Sequence, residues 1–150
     1  MKLDLENLSD NIVGNLIINK EAIEYDGCSY VFDDKKIIHR RAKITPTKTG
    51  QFVTLWKRDD EGVTCPLNYT EDFDFVVIIC KKDELIGRFL FSKSLLTEQG
   101  YIRSENKEGK RGFRVYPDWD KTTSKQAVKT QLWQKRYFRR SMYLESDELY

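Results

Sequence analysis

Six residues, TPTKTG at 45–50, hold three threonine hydroxyls and the ammonium group of Lys48. Hydroxyls and an ammonium presented together in a turn suit a phosphate, which takes hydrogen bonds and attracts a point charge. Lys43 precedes this turn and Gln51 follows it. The spaced glycines and the GK[ST] ending of a P-loop are missing, so no Walker-type cradle is specified. The plain alternative is a hairpin with ordinary turn chemistry, in which Pro46 fixes φ and Gly50 permits positive φ.

A second group of reactive side chains runs from 107 to 138. Lys110, Arg111 and Arg114 supply charge around Gly109 and Gly112, whose missing side chains let backbone approach a ligand. Arg114 and Tyr116 share one face of the strand FRVYP, and Trp119 follows the proline. Lys125 and Gln126 fall in the first turn of the last helix, where the macrodipole favours anions, and Gln131 lies further along it. Strand, turn and helix start thus gather cationic groups in one neighbourhood. The alternative is that Asp118 and Asp120 cap or pair locally while the bases solvate the helix.

Charge is blocked in the same way. Residues 35–58 hold eight Lys or Arg and no acid, and residues 101–140 hold twelve bases against four acids. The stretches 1–34, 59–100 and 141–150 are acidic, leaving a net +2. Brought together, the two basic blocks make a focused positive surface for phosphate-bearing partners.

Other chemistries find less footing. Asp34-Lys35-Lys36 fits D-x-K and Glu108-Gly109-Lys110 fits E-x-K, the pattern in which carboxylates hold Mg²⁺ and lysine positions water. The first sits at a strand end and the second in a glycine loop. His39 is the only histidine, and Cys28, Cys65 and Cys80 are scattered without a CxxC. Neither a triad nor a structural zinc site is indicated, and no metal ligand or cofactor is assigned. Cys80 ends an apolar strand and reads as core. The N-terminal MKLDLENLSD lacks a long apolar run, and no window approaches a membrane span. The expectation is a reduced, cytoplasmic protein with no membrane association.

The elements that must position these groups read as α+β. Leu3, Leu5, Leu8, Ile12, Val13, Leu16 and Ile17 recur at spacings that predict one or two helices over 2–24. SYVF (29–32) reads as a short strand. Residues 37–58 read as a hairpin closed by the 45–50 turn, with Val53 and Leu55 inward and Phe52, Trp56 and Arg58 on the other face. Residues 59–72 read as a loop. FDFVVIIC (73–80) and LIGRFLF (85–91) form a second hairpin, and KSLLTEQG (93–100) a short helix stopped by Gly100. The last helix starts near Thr122–Ser124 and runs to about 141. Ala127, Thr130, Trp133 and Tyr137 form its core stripe, with Val128, Leu132 and Phe138 beside it. The acidic tail MYLESDELY is expected to fray. The predicted architecture is one domain over 1–150: a mostly antiparallel sheet with helices packed at each end of the sequence.

Four runs, AKITPTKTGQFVTLWKR (42–58), FSKSLL (91–96), GKRGFRVYPDWD (109–120) and KQAVKTQLWQKRYF (125–138), resemble the MepB-like family of small bacterial proteins. The likeness covers most of 25–140. It implies an α+β fold similar to restriction-endonuclease-like domains and an affinity for nucleotides or nucleic acid, with no established reaction.

The combined expectation is capture of single-stranded nucleic acid or a nucleotide. Lys43, Thr45, Lys48, Lys110, Arg111, Arg114 and Lys125 would hold phosphate. Gln51, Gln126 and Gln131 would hydrogen-bond, and Tyr116 and Trp119 would stack on bases. One alternative is an active or degenerate Mg²⁺-dependent nuclease using Asp34 or Glu108. Another is a basic face that meets an acidic protein, or the chain's own segments 1–34 or 59–74.

Overall fold

The computed structural model describes residues 1–8, 17–18 and 27–150. Its centre is the hairpin of β9 (Phe75–Lys82) and β10 (Leu85–Ser92), closed at Asp83–Glu84 with Asp83 at φ 54°. The run FVVIIC is apolar without alternation because both faces of β9 are covered. Val76, Ile78 and Cys80 enter one core, while Val77 and Ile79 enter another. β10 divides likewise, Phe89 and Phe91 to the first core and Leu90 to the second.

β3 (Cys28–Phe32) and β4 (Lys35–Arg41) form a tight hairpin whose turn residues Asp33 and Asp34 both take positive φ. Aspartate tolerates that region better than most side chains. β4 then pairs in parallel with β9, Ile37 opposite Phe75 and Arg41 opposite Ile79. With β2 (Ile17–Ile18) and β12 (Phe138–Arg139) the result is a six-stranded mixed sheet ordered β12-β10-β9-β4-β3-β2.

The crossover from β4 to β9 carries the structures that cover the first core. β5 (Lys43–Ile44) and β6 (Gln51–Thr54) form the expected hairpin around 45–50, and β11 (Gly112–Val115) adds to β6. Val53, Leu55, Phe113 and Val115 are buried from this side, together with Leu95 and Leu96 of α1 (Lys93–Glu98). Gly100 stops α1 at φ 75°, as read from sequence. β7 (Trp56–Arg58) pairs with β8 (Thr64–Pro66), so the segment expected to be all loop contains a strand. α2 (Lys125–Gln134) begins where the threonine–serine run indicated: Ser124 accepts a hydrogen bond from the Ala127 amide at 3.1 Å. It ends earlier than periodicity suggested, passing through a 3₁₀ turn at Lys135–Tyr137 into β12. Trp133 and Tyr137 pack on the first core, but Val128 and Leu132 face outward.

Two expectations, one at each end of the chain, are corrected. The N-terminal helix fails at Lys2–Asp4, which is β1, and at Ile17–Ile18, which is β2; Leu8 is helical, and the parts of that reading at 9–16 and 19–24 lie outside the described residues. Leu3 and Leu5 are both buried, a spacing of two that is the period of a strand face and not of a helix face. The tail does not fray: β13 (Tyr143–Glu145) pairs with β1, and Met142, Leu144 and Leu149 enter the second core. There Arg88, 2% exposed, donates to both Glu148 oxygens at 2.6 and 2.8 Å and to the Tyr143 carbonyl at 3.1 Å. A buried charge needs such a partner, and this one fastens the tail. The fold is α+β, and α1 and α2 both lie in the C-terminal half of the sequence. Among the described residues no helix is long and apolar enough to cross a membrane.

Candidate anion-binding site

The two basic blocks meet through the β6–β11 pairing. Lys43 lies opposite Phe52 and Phe52 opposite Arg114, so all three form one row across the small sheet. Alternation along β6 and β11 buries Gln51, Val53, Phe113 and Val115 and turns this row outward. The Arg114 guanidinium lies 5.9 Å from the centre of the Phe52 ring and donates to Thr45 Oγ1 at 2.8 Å. It also reaches the Thr49 and Gly50 carbonyls at 3.4 and 3.5 Å, so it braces the 45–50 turn as well as supplying charge.

Two clefts flank that turn. The larger, about 540 Å³, is lined by Thr45, Lys48, Gln51, Lys82, Trp119, Asp120 and Lys121 among others. The smaller, about 250 Å³, is lined by Lys48, Thr49, Arg114, Tyr116, Thr123, Ser124 and Ala127. It therefore opens at the start of α2, where unpaired backbone amides favour an anion. Lys48 lines both clefts and has no ion-pair partner among the described residues. Gly50 can only be glycine here: its φ is 84°, and a Cβ would lie 2.7 Å from the Tyr116 ring.

The larger cleft is not purely cationic. Burial raises the Asp120 carboxyl above its ordinary range, against the pull of Lys82 and of a hydrogen bond from the Gly50 amide. Gln51 is 1% exposed and gives its amide N–H to the Lys81 carbonyl at 3.3 Å, while its Oε1 finds no partner. The Trp119 indole N–H is likewise buried and unpaired. That ring packs edge-on against Phe138 at 5.5 Å and carries the Arg140 guanidinium at 5.6 Å. Arg140 in turn donates to Asp118 at 2.9 Å, the local pairing that sequence left open.

Other expected residues lie elsewhere. Arg111 directly precedes β11, three residues before Arg114 and roughly 10 Å from it in extended chain, and donates to the Thr64 carbonyl at 3.0 Å. Lys110 lies 5.5 Å from the centre of the Tyr101 ring. Burial pushes the Tyr101 phenol up to about 12. Gln131 is occupied in the 117–122 loop, donating to the Pro117 and Asp120 carbonyls at 3.0 and 2.8 Å and accepting from Thr122. Lys125 and Gln126 are exposed on the first turn of α2. Asp34 is in the β3–β4 turn and Glu108 in the loop before β11; neither lines a cleft at the 45–50 turn. Among the described residues no group of three His, Cys, Asp or Glu side chains is placed to hold a metal ion.

Part of the first basic block is neutralised internally. Lys57 pairs with Glu71, which raises the lysine, and Lys36 pairs with Asp72, which lowers the carboxyl. Residues of the acidic 59–74 segment thus neutralise two lysines of the block. Four residues at the site were not among those the sequence assigned to it. Gln134 had a faint signal, since it falls seven residues after buried Ala127 on the same helical stripe. Its Oε1 accepts from the Tyr116 amide at 2.8 Å, and its Nε2 donates to the Arg114 carbonyl at 3.0 Å and the Tyr101 hydroxyl at 3.3 Å. Lys82, Asp120 and Lys121 reach the cleft only through long-range packing, which no local pattern announces.

The family model described as MepB-like matches residues 19–140. A solved structure described as the crystal structure of MepB is 38% identical, with a TM-score of 0.81, over 83% of this chain and 84% of that one. No curated protein matches the chain.

Proposed function

The chain belongs to the MepB-like family, and from that premise and the paired clefts we propose that it binds single-stranded nucleic acid or a nucleotide. The observation that carries the reading is the unpaired Lys48 ammonium between two clefts, with Arg114 on one side and Lys82 and Lys121 on the other. Cations spaced around a groove track a phosphate backbone. Tyr116 adds ring surface, and base stacking on aromatics is worth about 1–3 kcal/mol per base, while Trp119 lines the larger cleft. Lys43, in the row with Phe52 and Arg114, extends the positive face.

In this reading the α+β core is related to restriction-endonuclease-like domains, which the mixed sheet with its parallel β4–β9 step supports. The location in the same reading is cytoplasmic. No cleavage step is assigned. Fluorescence anisotropy of labelled single-stranded DNA, RNA and duplex tests the proposal. Single strands should bind, with log K falling linearly against log salt. Absence of binding to every strand at low salt would overturn it.

A further inference from the structure

A cleft built only to hold phosphate has no use for a carboxylate, yet Asp120 lines the larger one. Lys82 and the Gly50 amide both favour its charged form, and a carboxylate has about four acceptor positions. Gln51 and Trp119 line the same cleft, and among the described residues buried Gln51 Oε1 is an acceptor without a donor and Trp119 Nε1 a donor without an acceptor. Unpaired buried polar groups are unfavourable, so the three together describe the edge they lack: adjacent N–H donors for the acceptors, and one carbonyl for the indole.

Among the common nucleobases only guanine offers that edge. Its N1–H and N2–H₂ are neighbouring donors that a carboxylate accepts together, and O6 lies next to them as the acceptor. Adenine and cytosine place a ring-nitrogen acceptor beside their amino group, which repels a carboxylate. Uracil and thymine have a single N–H flanked by two carbonyls. Resting on the nucleotide-binding reading above, we infer that the larger cleft selects guanine. Asp120 and Gln51 accept from its Watson–Crick edge, Trp119 donates to O6, and Lys48 holds the attached phosphate.

Asp120 then has opposite effects on the two parts of a ligand. It attracts the guanine edge and repels phosphate. Asp120→Asn therefore weakens guanine nucleotides while leaving others unchanged or slightly tighter, a signature that simple unfolding does not give. Lys48→Ala, in contrast, weakens every nucleotide alike.

The test is isothermal titration of the full chain with GMP, AMP, CMP and UMP at low salt, repeated with Asp120→Asn and Lys48→Ala after circular dichroism confirms that each is folded. GMP should bind about tenfold tighter than the others, in keeping with the discrimination of one bidentate base contact. Asp120→Asn should shrink that ratio to about threefold or less. Equal binding of all four nucleotides, or a ratio unchanged in Asp120→Asn, would overturn guanine selection while the phosphate reading stands. Failure of all four nucleotides and of single strands alike would overturn both.

Discussion

Replacing Gln134 by leucine tests whether one buried amide joins the fold to the site. The side chain is fully buried and makes three hydrogen bonds: from the Tyr116 amide at 2.8 Å, to the Arg114 carbonyl at 3.0 Å and to the Tyr101 hydroxyl at 3.3 Å. Leucine fills similar volume and supplies none of them. A buried polar group left unpaired costs about 1–3 kcal/mol, so the two backbone groups alone cost about 2–6 kcal/mol. Relaxation and rotation of the Tyr101 hydroxyl bring the expected loss to roughly 3 kcal/mol. For a chain of this size that lowers Tm by about 6–12 °C. Thermal unfolding followed by circular dichroism reads the shift. Arg114 and Tyr116 flank the clamp, so ligand affinity should also fall at temperatures where the variant is folded. A Tm within about 2 °C of the parent would refute the clamp, because the three groups would have found other partners.

Three further outcomes follow from the same structure. Glu148→Ala leaves Arg88 buried without its carboxylate and should lower stability by about 3–5 kcal/mol in urea unfolding; a loss under about 1 kcal/mol would show the tail to be dispensable. Asp120 has a folded-state pKa raised by burial, so its proton favours the folded state. Its penalty is absent below the ordinary value of 3.8 and grows as pH rises through the folded pKa. Asp120→Asn should therefore flatten stability against pH on the acid side, and an unchanged profile in pH-dependent melting would contradict that. Of the three cysteines, half-buried Cys65 should react with a thiol reagent in the native protein, while buried Cys28 and Cys80 should react only after unfolding; burial also pushes the Cys80 thiol up. Rapid native labelling of Cys80 would contradict its place in the core.

The sequence was most legible where structure is local. Pro46 and Gly50 marked the β5–β6 turn, and alternation along 51–55 assigned Val53 and Leu55 to the core. Ser124 marked the start of α2 and Gly100 the stop of α1. Pairing between distant segments was not legible. Nothing in 35–41 or 75–82 announces that the two strands run parallel, and the loop between them hides a strand pair. The N-terminus misled because its leucines are spaced both by two, the period of a strand, and by three, near that of a helix, over so few residues. The tail misled because its acids suggested solvation, whereas Glu148 serves a buried arginine contributed by a strand 60 residues earlier. At the site, the basic residues were visible but their division was not. Glu71 and Asp72 neutralise Lys57 and Lys36, and Lys48 stays unpaired, only because of the way the crossover folds.

The most direct test of the central claim is the salt dependence of single-strand binding in the parent and in Lys48→Ala. Three phosphate contacts, from Lys48, Arg114 and Lys82, predict a slope of log K against log salt of about −2, and loss of one contact should make it shallower by about 0.7. Binding in which Lys48→Ala changes neither affinity nor slope would place the ligand elsewhere on the protein.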